Sequence, residues 1–185
     1  MILVHGRGAA ASDIMSVGEA LGLDGVAYLA PQAGNNTWYP YSFLAPIPQN
    51  EPGISSGLSM LSRLIARLGD DGLPPARIGL LGFSQGACLS LEYAARHAQR
   101  YAAIVGFSGG LIGPPGTPRD YSGTLDATPV FLGCSNIDPH IPLERVHETG
   151  DVFRRMGASV DERIYPGMGH TINEDEIETV RRMLR

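Results

Sequence analysis

The chain has 185 residues, of which 43% are hydrophobic, and its formal net charge is −5. This length is sufficient for one domain with a buried core, so we expect residues 1–185 to form a single domain. All 14 cationic side chains are arginines spread along an acidic chain, which argues against nucleic acid as a partner, and no apolar run approaches the ~20 residues of a membrane span.

Six short segments are predicted to be buried strands because each is a continuous apolar run rather than an alternating one. In chain order they are ILVH (2–5), VAYLAP (26–31), RIGLLGF (77–83), AAIVGF (102–107), PVFLGC (129–134) and VDERIYP (160–166). The sixth segment is more polar than the others, which favours a position near an edge of the sheet.

Segments with helical periodicity alternate with these strands. They are 14–21, 58–68, 86–98, 143–156 and 177–184. The last helix has two candidate capping boxes, Thr171 with Glu174 and Asn173 with Glu176. This alternation predicts a three-layer α/β/α fold whose mostly parallel sheet has six strands in the order 2-1-3-4-5-6.

Two segments have no regular pattern. Residues 32–53 carry several prolines and a cluster of aromatic side chains, and residues 108–128 are similarly irregular. Loops of this length between strands and helices are where binding pockets are commonly built.

The pattern Gly-x-Ser-x-Gly occurs twice, around Ser84 (GFSQG) and around Ser108 (GFSGG). A nucleophilic serine of this type needs a strand before it, small neighbours that let a tight turn close, and a helix directly after it. Ser84 meets all three conditions. Ser108 is followed by GGLIGPPGTP, which cannot continue as a helix. We therefore predict that Ser84 is the nucleophile.

A catalytic serine also needs a base and an acid, which follow it in the chain in the order acid, then histidine. Asp138 follows the fifth predicted strand, and His170 lies in PGMGH after the sixth. Both lie at carboxyl ends of parallel strands, on the same edge of the sheet as Ser84. We predict that His170 is the general base and that Asp138 orients it.

The other acidic and imidazole side chains fit these roles less well. His97 and His147 lie in predicted helices, Asp120 and Asp126 precede the fifth strand, and His140 is too close in sequence to Asp138. A metal site formed by Asp138, His140, Glu144 and His147 is an alternative, although its ligands straddle a proline-containing turn. We therefore do not expect a metal site.

Acyl transfer also requires N–H groups that stabilise a tetrahedral oxyanion. The amide of Gln85 follows the nucleophile, and the predicted strand order places HGRG (5–8) beside it, so we predict the backbone N–H groups of Arg7 and Gln85 as donors. His5 is expected to be structural. Candidate pocket residues are Trp38, Tyr39, Tyr41, Phe43 and Met168.

With LVHGRG, GFSQGA, Asp138 and YPGMGH in place, the sequence resembles the α/β-hydrolase superfamily. In particular it is similar to the small phospholipase/carboxylesterase family, which includes acyl-protein thioesterases and bacterial carboxylesterases. The resemblance covers nearly the whole chain and implies carboxylic ester hydrolysis through an acyl-enzyme on Ser84, without cofactor or metal. The chain begins on the strand that carries His-Gly, which implies a sheet reduced at its N-terminus, and Gly-Cys-Ser-Asn precedes Asp138 where the family usually has His-Gly.

The sequence thus predicts a serine carboxylesterase whose partner is a small, soluble ester. Two alternatives stay open: an acyl-thioesterase or acyltransferase on the same triad, and a non-catalytic ligand receptor with a hydrolase fold. Two cysteines without close spacing and an N-terminus without signal-peptide features lead us to expect a cytoplasmic protein with free thiols. A homodimer formed through an exposed sheet edge is a further expectation.

Overall fold

The computed structural model describes all residues from Met1 to Arg185. Five strands alternate with five α-helices. The strands are β1 (Ile2–Val4), β2 (Gly79–Phe83), β3 (Ala103–Phe107), β4 (Pro129–Ser135) and β5 (Ser159–Tyr165). The helices are α1 (Ala11–Leu21), α2 (Gly53–Asp70), α3 (Gln85–Arg96), α4 (Leu143–Arg155) and α5 (Glu174–Met183). Short 3₁₀ turns lie at Gly34–Asn36, Ile47–Asn50 and Pro75–Arg77.

The five strands form one sheet in the order β1-β2-β3-β4-β5, and every neighbouring pair is parallel. The prediction of a sixth strand at residues 26–31 is wrong in its extent. This segment lies beside β1, as predicted, but it forms only a single parallel bridge between Ile2 and Leu29. The segment is partly exposed at the sheet edge, and Pro31 has no N–H with which to extend the pairing.

Alternating side chains of each strand point to opposite faces of the sheet, and each face is covered by helices. On one side α2, α3 and α4 pack on a core that includes Ile2, Leu80 and Ile104. On the other side α1 and α5 pack on a smaller core around Leu3 and Leu81. This three-layer arrangement explains why β1 to β4 are almost entirely apolar, because both of their faces are buried, whereas β5 at the sheet edge is more polar and partly exposed. None of the helices combines the length and apolarity required to cross a bilayer.

The helix that follows the candidate base begins at a capping box. Of the two candidate boxes, the structure forms the one at Asn173, whose side chain accepts from the Glu176 N–H, while Glu176 Oε2 accepts from the Asn173 N–H at 2.8 Å. Glu176 is fully buried, and its Oε1 has no hydrogen-bond partner and lies against Gly133 of β4. Burial raises the pKa of this carboxyl from the ordinary 4.5 to about 7.

A buried carboxyl with a raised pKa destabilises the folded state once it ionises. Between pH 4.5 and 7 the folded chain binds more protons at Glu176 than the unfolded chain, so the stability contribution of this group falls as pH rises through that window. We predict that Glu176→Gln, which keeps the capping hydrogen bond, is more stable than the wild type at pH 8 by up to about 3 kcal/mol. The advantage should disappear at pH 4.5 and below.

Urea denaturation at several pH values measures this difference. Glu174→Gln is the matched control, because Glu174 is exposed in the same helical turn, so the difference in stability between this variant and the wild type should be nearly independent of pH in this range. A Glu176→Gln advantage that is equal at pH 4.5 and pH 8 would contradict the prediction.

Candidate active site

Ser84 lies between the end of β2 and the first residue of α3, in a backbone conformation that is rare for a residue with a side chain (φ 55°, ψ −119°). The flanking glycines explain why the turn can close. A Cβ at residue 86 would lie 2.0 Å from the Val4 carbonyl oxygen, and one at residue 82 would lie 2.4 Å from the Gly86 carbonyl. The β2–α3 turn therefore packs directly on β1, which no larger residue would allow.

Ser108 has a similar backbone angle (φ 49°) at the end of β3, but its surroundings differ. It is fully buried, and the segment that follows it packs on α4 instead of starting a helix. The Arg145 side chain donates to the carbonyls of Leu111 and Gly113, and a Cβ at Gly110 would lie 2.7 Å from Arg145 Cγ. Ser108 does not line the pocket that contains Ser84.

The structure brings Ser84, His170 and Asp138 into one hydrogen-bonded chain. His170 Nε2 lies 2.8 Å from Ser84 Oγ, and His170 Nδ1 lies 2.7 Å from Asp138 Oδ2. Because a carboxylate only accepts, the second contact assigns the imidazole proton to Nδ1 and leaves Nε2 free to accept the serine proton. The Asp138 side chain is fully buried, whereas that of His170 is 18% exposed.

The surroundings of Asp138 hold it in the charged form. Burial alone would raise its pKa, but hydrogen bonds from His170 and from the N–H groups of His140 and Ile141 outweigh burial and lower the pKa below its ordinary value. The Cys134 thiol lies 3.8 Å from Asp138 Oδ2. Burial and the nearby carboxylate raise the pKa of this thiol to about 12, so it is a neutral, weak donor.

The loops that carry Asp138 and His170 are fastened to one another at the end of β4. Ser135 Oγ accepts from the N–H of Gly169 and from the N–H of Ile137, both at 3.1 Å. Asn136 Oδ1 accepts from the N–H of Gly167 at 2.9 Å. One serine hydroxyl therefore joins the acid loop to the histidine loop.

The loop after β1 lies beside the serine turn because Val4 pairs with Gly82 in the sheet. The Arg7 N–H forms no hydrogen bond with another backbone group, and the N–H of Gln85, the first residue of α3, has no intrahelical acceptor. His5 is buried. Its Nε2 accepts from the Ala33 N–H, and its Nδ1 lies 2.8 Å from the Gly6 carbonyl oxygen. These contacts are consistent with the structural role expected for His5.

A pocket of about 600 Å³ opens above Ser84 and His170, with Tyr39, Tyr41 and Phe43 in its walls. Two predicted pocket residues do not line it. Trp38 is turned into the core, where its Nε1 donates to the His5 carbonyl at 2.8 Å. Met168 lies against the N-cap of α5, where its sulfur accepts from the Asn173 side chain.

The structure also adds residues that the motifs did not indicate. Phe83 and His140 line the pocket, and their rings lie 5.0 and 4.8 Å from the His170 ring. The Gln85 side chain accepts from the Trp38 N–H and donates to the Tyr39 carbonyl, which fastens the aromatic loop to the site. The only sequence signal for this role is a glutamine directly after the predicted nucleophile, at the first position of the predicted helix.

The residues of the alternative metal site do not come together. Asp138 faces His170, and His147 Nδ1 pairs with Glu162 on β5 at 2.5 Å. No group of three or more histidine, cysteine, aspartate or glutamate side chains has the arrangement of metal ligands. Both cysteines are buried free thiols.

The sequence model of the phospholipase/carboxylesterase family matches residues 1–185. The chain belongs to this family. A crystal structure of a phospholipase/carboxylesterase from Dyadobacter fermentans is 45% identical, covers 100% of this chain and 88% of that one, and superposes with a TM-score of 0.96. The match extends from β1 to α5, so the α/β-hydrolase fold is common to both members of the family.

Curated members of the family are more distant. The acyl-protein thioesterase 1 of Gibberella zeae is 32% identical over 74% of this chain and 59% of its own length. That of Yarrowia lipolytica is 27% identical over 97% of this chain and 88% of its own length. Against six of the curated relatives, the chain spans only 52% to 60% of their length.

The shared hydroxyl of Ser135 should control how firmly His170 is held. Ser135→Ala leaves two N–H groups without their acceptor, which costs roughly 1–2 kcal/mol and so increases opening of the histidine loop by roughly 5- to 30-fold. The downfield NMR signal of the His170 Nδ1 proton should therefore exchange faster with water by a similar factor.

Thr171→Ala is the control, because the Thr171 hydroxyl is exposed and contacts only the Ile172 carbonyl at 3.5 Å. Equal exchange rates in Ser135→Ala and Thr171→Ala would show that the hydroxyl does not hold the loop.

Proposed function

We propose that this member of the family hydrolyses small carboxylic esters through an acyl-enzyme on Ser84. The observation that carries the proposal is the hydrogen-bonded chain from Asp138 through His170 to Ser84 Oγ, with distances of 2.7 and 2.8 Å. A serine hydroxyl becomes an effective nucleophile when an oriented imidazole can accept its proton.

In the first half of the reaction, Ser84 Oγ attacks the ester carbonyl carbon while His170 Nε2 accepts the serine proton. The carbonyl π-electrons move to oxygen and form a tetrahedral oxyanion. As the oxyanion collapses, the C–O bond to the alcohol breaks, and the imidazolium donates its proton to the leaving oxygen. Water then repeats the sequence on the acyl-enzyme, with His170 again as the base, and releases the acid and free Ser84.

The oxyanion is stabilised by the backbone N–H groups of Arg7 and Gln85. Two features support this assignment: neither N–H has a backbone acceptor, and the loop after β1 passes so close to the nucleophile that a Cβ at Gly6 would lie 3.5 Å from Ser84 Cβ. The N-terminus of α3 adds the positive end of its helix dipole. Asp138 stays ionised and stabilises the imidazolium, consistent with the low pKa of its carboxyl.

The pocket volume of about 600 Å³ supports substrates of modest size. Thioesters are a second candidate class, because the Gibberella and Yarrowia relatives are named acyl-protein thioesterases and the same three side chains would perform that chemistry. A graded series of oxygen esters and thioesters with equal acyl groups distinguishes the two classes by their kcat/KM values.

Replacement of the proposed nucleophile should abolish turnover, and replacement of the proposed acid should lower it strongly. We expect Ser84→Ala to abolish hydrolysis of 4-nitrophenyl butyrate and covalent labelling by a fluorophosphonate. Asp138→Asn should lower kcat by on the order of 10⁴, because it reverses the imidazole tautomer. Ser108→Ala is the matched control, since Ser108 occupies the other Gly-x-Ser-x-Gly pattern outside the pocket.

Activity that survives in Ser84→Ala and is lost in Ser108→Ala would overturn the assignment. Labelling of Ser84 without hydrolysis of any ester or thioester would favour a ligand receptor instead.

A further inference from the structure

The pocket above Ser84 has an unusual charge distribution for an acidic protein. The chain carries a net charge of −5, yet no aspartate or glutamate side chain lines the pocket, and Arg7 does. Arginine is permanently charged in proteins. The pocket is therefore bounded by a fixed positive charge.

The Arg7 guanidinium is held in place by neutral groups only. Nη1 donates to Thr37 Oγ1 and the Pro40 carbonyl, Nη2 donates to the Tyr41 carbonyl, and the group lies 5.9 Å from the centre of the Tyr39 ring. Arg7 forms no ion pair with any carboxylate of the chain, although seven other arginines do. Its charge is uncompensated.

Two of the five guanidinium N–H groups have no partner within the protein: the one on Nε and one on Nη2. A pair of this kind can bind the two oxygens of a carboxylate. The three bonds to the 37–41 loop fix the orientation of the guanidinium before any ligand arrives, which reduces the entropy lost on binding.

Other charges near the pocket do not offset Arg7. The carboxylate of Asp138 is fully buried behind His170 and is saturated by hydrogen bonds from the imidazole and two backbone amides. The N-terminus of α3, which begins at Gln85, adds further positive potential on the pocket side. A substrate that carries a negative charge is therefore favoured over a neutral one of the same shape.

We propose that the Arg7 side chain is an anion-binding subsite, and that the preferred substrates are esters carrying a carboxylate close to the scissile carbonyl. The inference rests on the proposed function and narrows its substrate class. The carboxylate lies close to the carbonyl because the side chain and the proposed oxyanion donor belong to the same residue. If Arg7 serves only to fasten the 37–41 loop, a charge on the substrate should make no difference.

Matched pairs of esters test the proposal with the wild-type protein. On the acyl side, the pair is the 4-nitrophenyl monoester of glutaric acid and its terminal amide; on the alcohol side, it is 3-acetoxybenzoate and 3-acetoxybenzamide. After subtraction of uncatalysed hydrolysis, we expect kcat/KM for the acid to exceed that for the amide by about tenfold in at least one pair. The pair that shows the preference identifies which half of the ester carries the anion.

Ionic strength provides a test that needs no variant. An increase from about 20 mM to about 500 mM salt should lower kcat/KM of the preferred acid several-fold and leave that of its amide nearly unchanged, because only the charged substrate is attracted by Arg7.

Arg7→Gln should bring the acid-to-amide ratio close to one, whereas Arg7→Lys should retain part of it. Because the ratio compares two substrates of the same variant, it is unaffected by any decrease in kcat/KM that both share, including a decrease caused by a disturbed oxyanion site. Arg63→Gln is the matched control, because it changes the net charge equally on the exposed face of α2 and should preserve the wild-type ratio.

The two proposals fail in different ways. If the esters that carry an amide are hydrolysed as efficiently as those that carry a carboxylate, at both low and high salt, the anion subsite is overturned and the esterase proposal stays intact. Absence of hydrolysis of all four esters above the level of Ser84→Ala would contradict the esterase proposal itself.

Discussion

The contact between the first turn of α3 and the end of β1 is the constraint on which the site depends. At Gly86 the two backbones approach so closely that a Cβ would lie 2.0 Å from the Val4 carbonyl oxygen. The same tight turn holds Ser84 in its positive-φ conformation and places the α3 N-terminus beside the end of β1. Backbone strain of this kind costs on the order of 1–3 kcal/mol and persists only where the surrounding packing holds it.

The parallel sheet then brings the remaining groups to the same edge. The strands run in one direction, so the residues after β1, β2, β4 and β5 all emerge at their carboxyl ends. The sheet sets approximate positions, and side chains refine them. Ser135 joins the acid and histidine loops, and Gln85 fastens the aromatic loop over the serine.

The two charged side chains of the site, Asp138 and Arg7, differ in their burial and therefore in what they act on. Asp138 is withdrawn from solvent but is satisfied by donors, so it keeps its charge and directs it at the imidazole. Arg7 lines the pocket and forms no ion pair with a carboxylate. A single pocket thus presents a negative charge behind the histidine and a positive charge towards the ligand, although the chain as a whole is acidic.

The layer architecture, the helices and the candidates Ser84, Asp138 and His170 could be predicted from the sequence, because apolar runs, helical periods and motif order are local signals. The extent of the 26–31 segment was predicted incorrectly, since pairing at a sheet edge depends on neighbours and on Pro31. The prediction of Trp38 and Met168 as pocket residues is wrong, because tertiary packing directs both side chains to other partners. The uncompensated charge of Arg7 and the bridging role of Ser135 depend on contacts between residues far apart in sequence, so only the folded structure decided them.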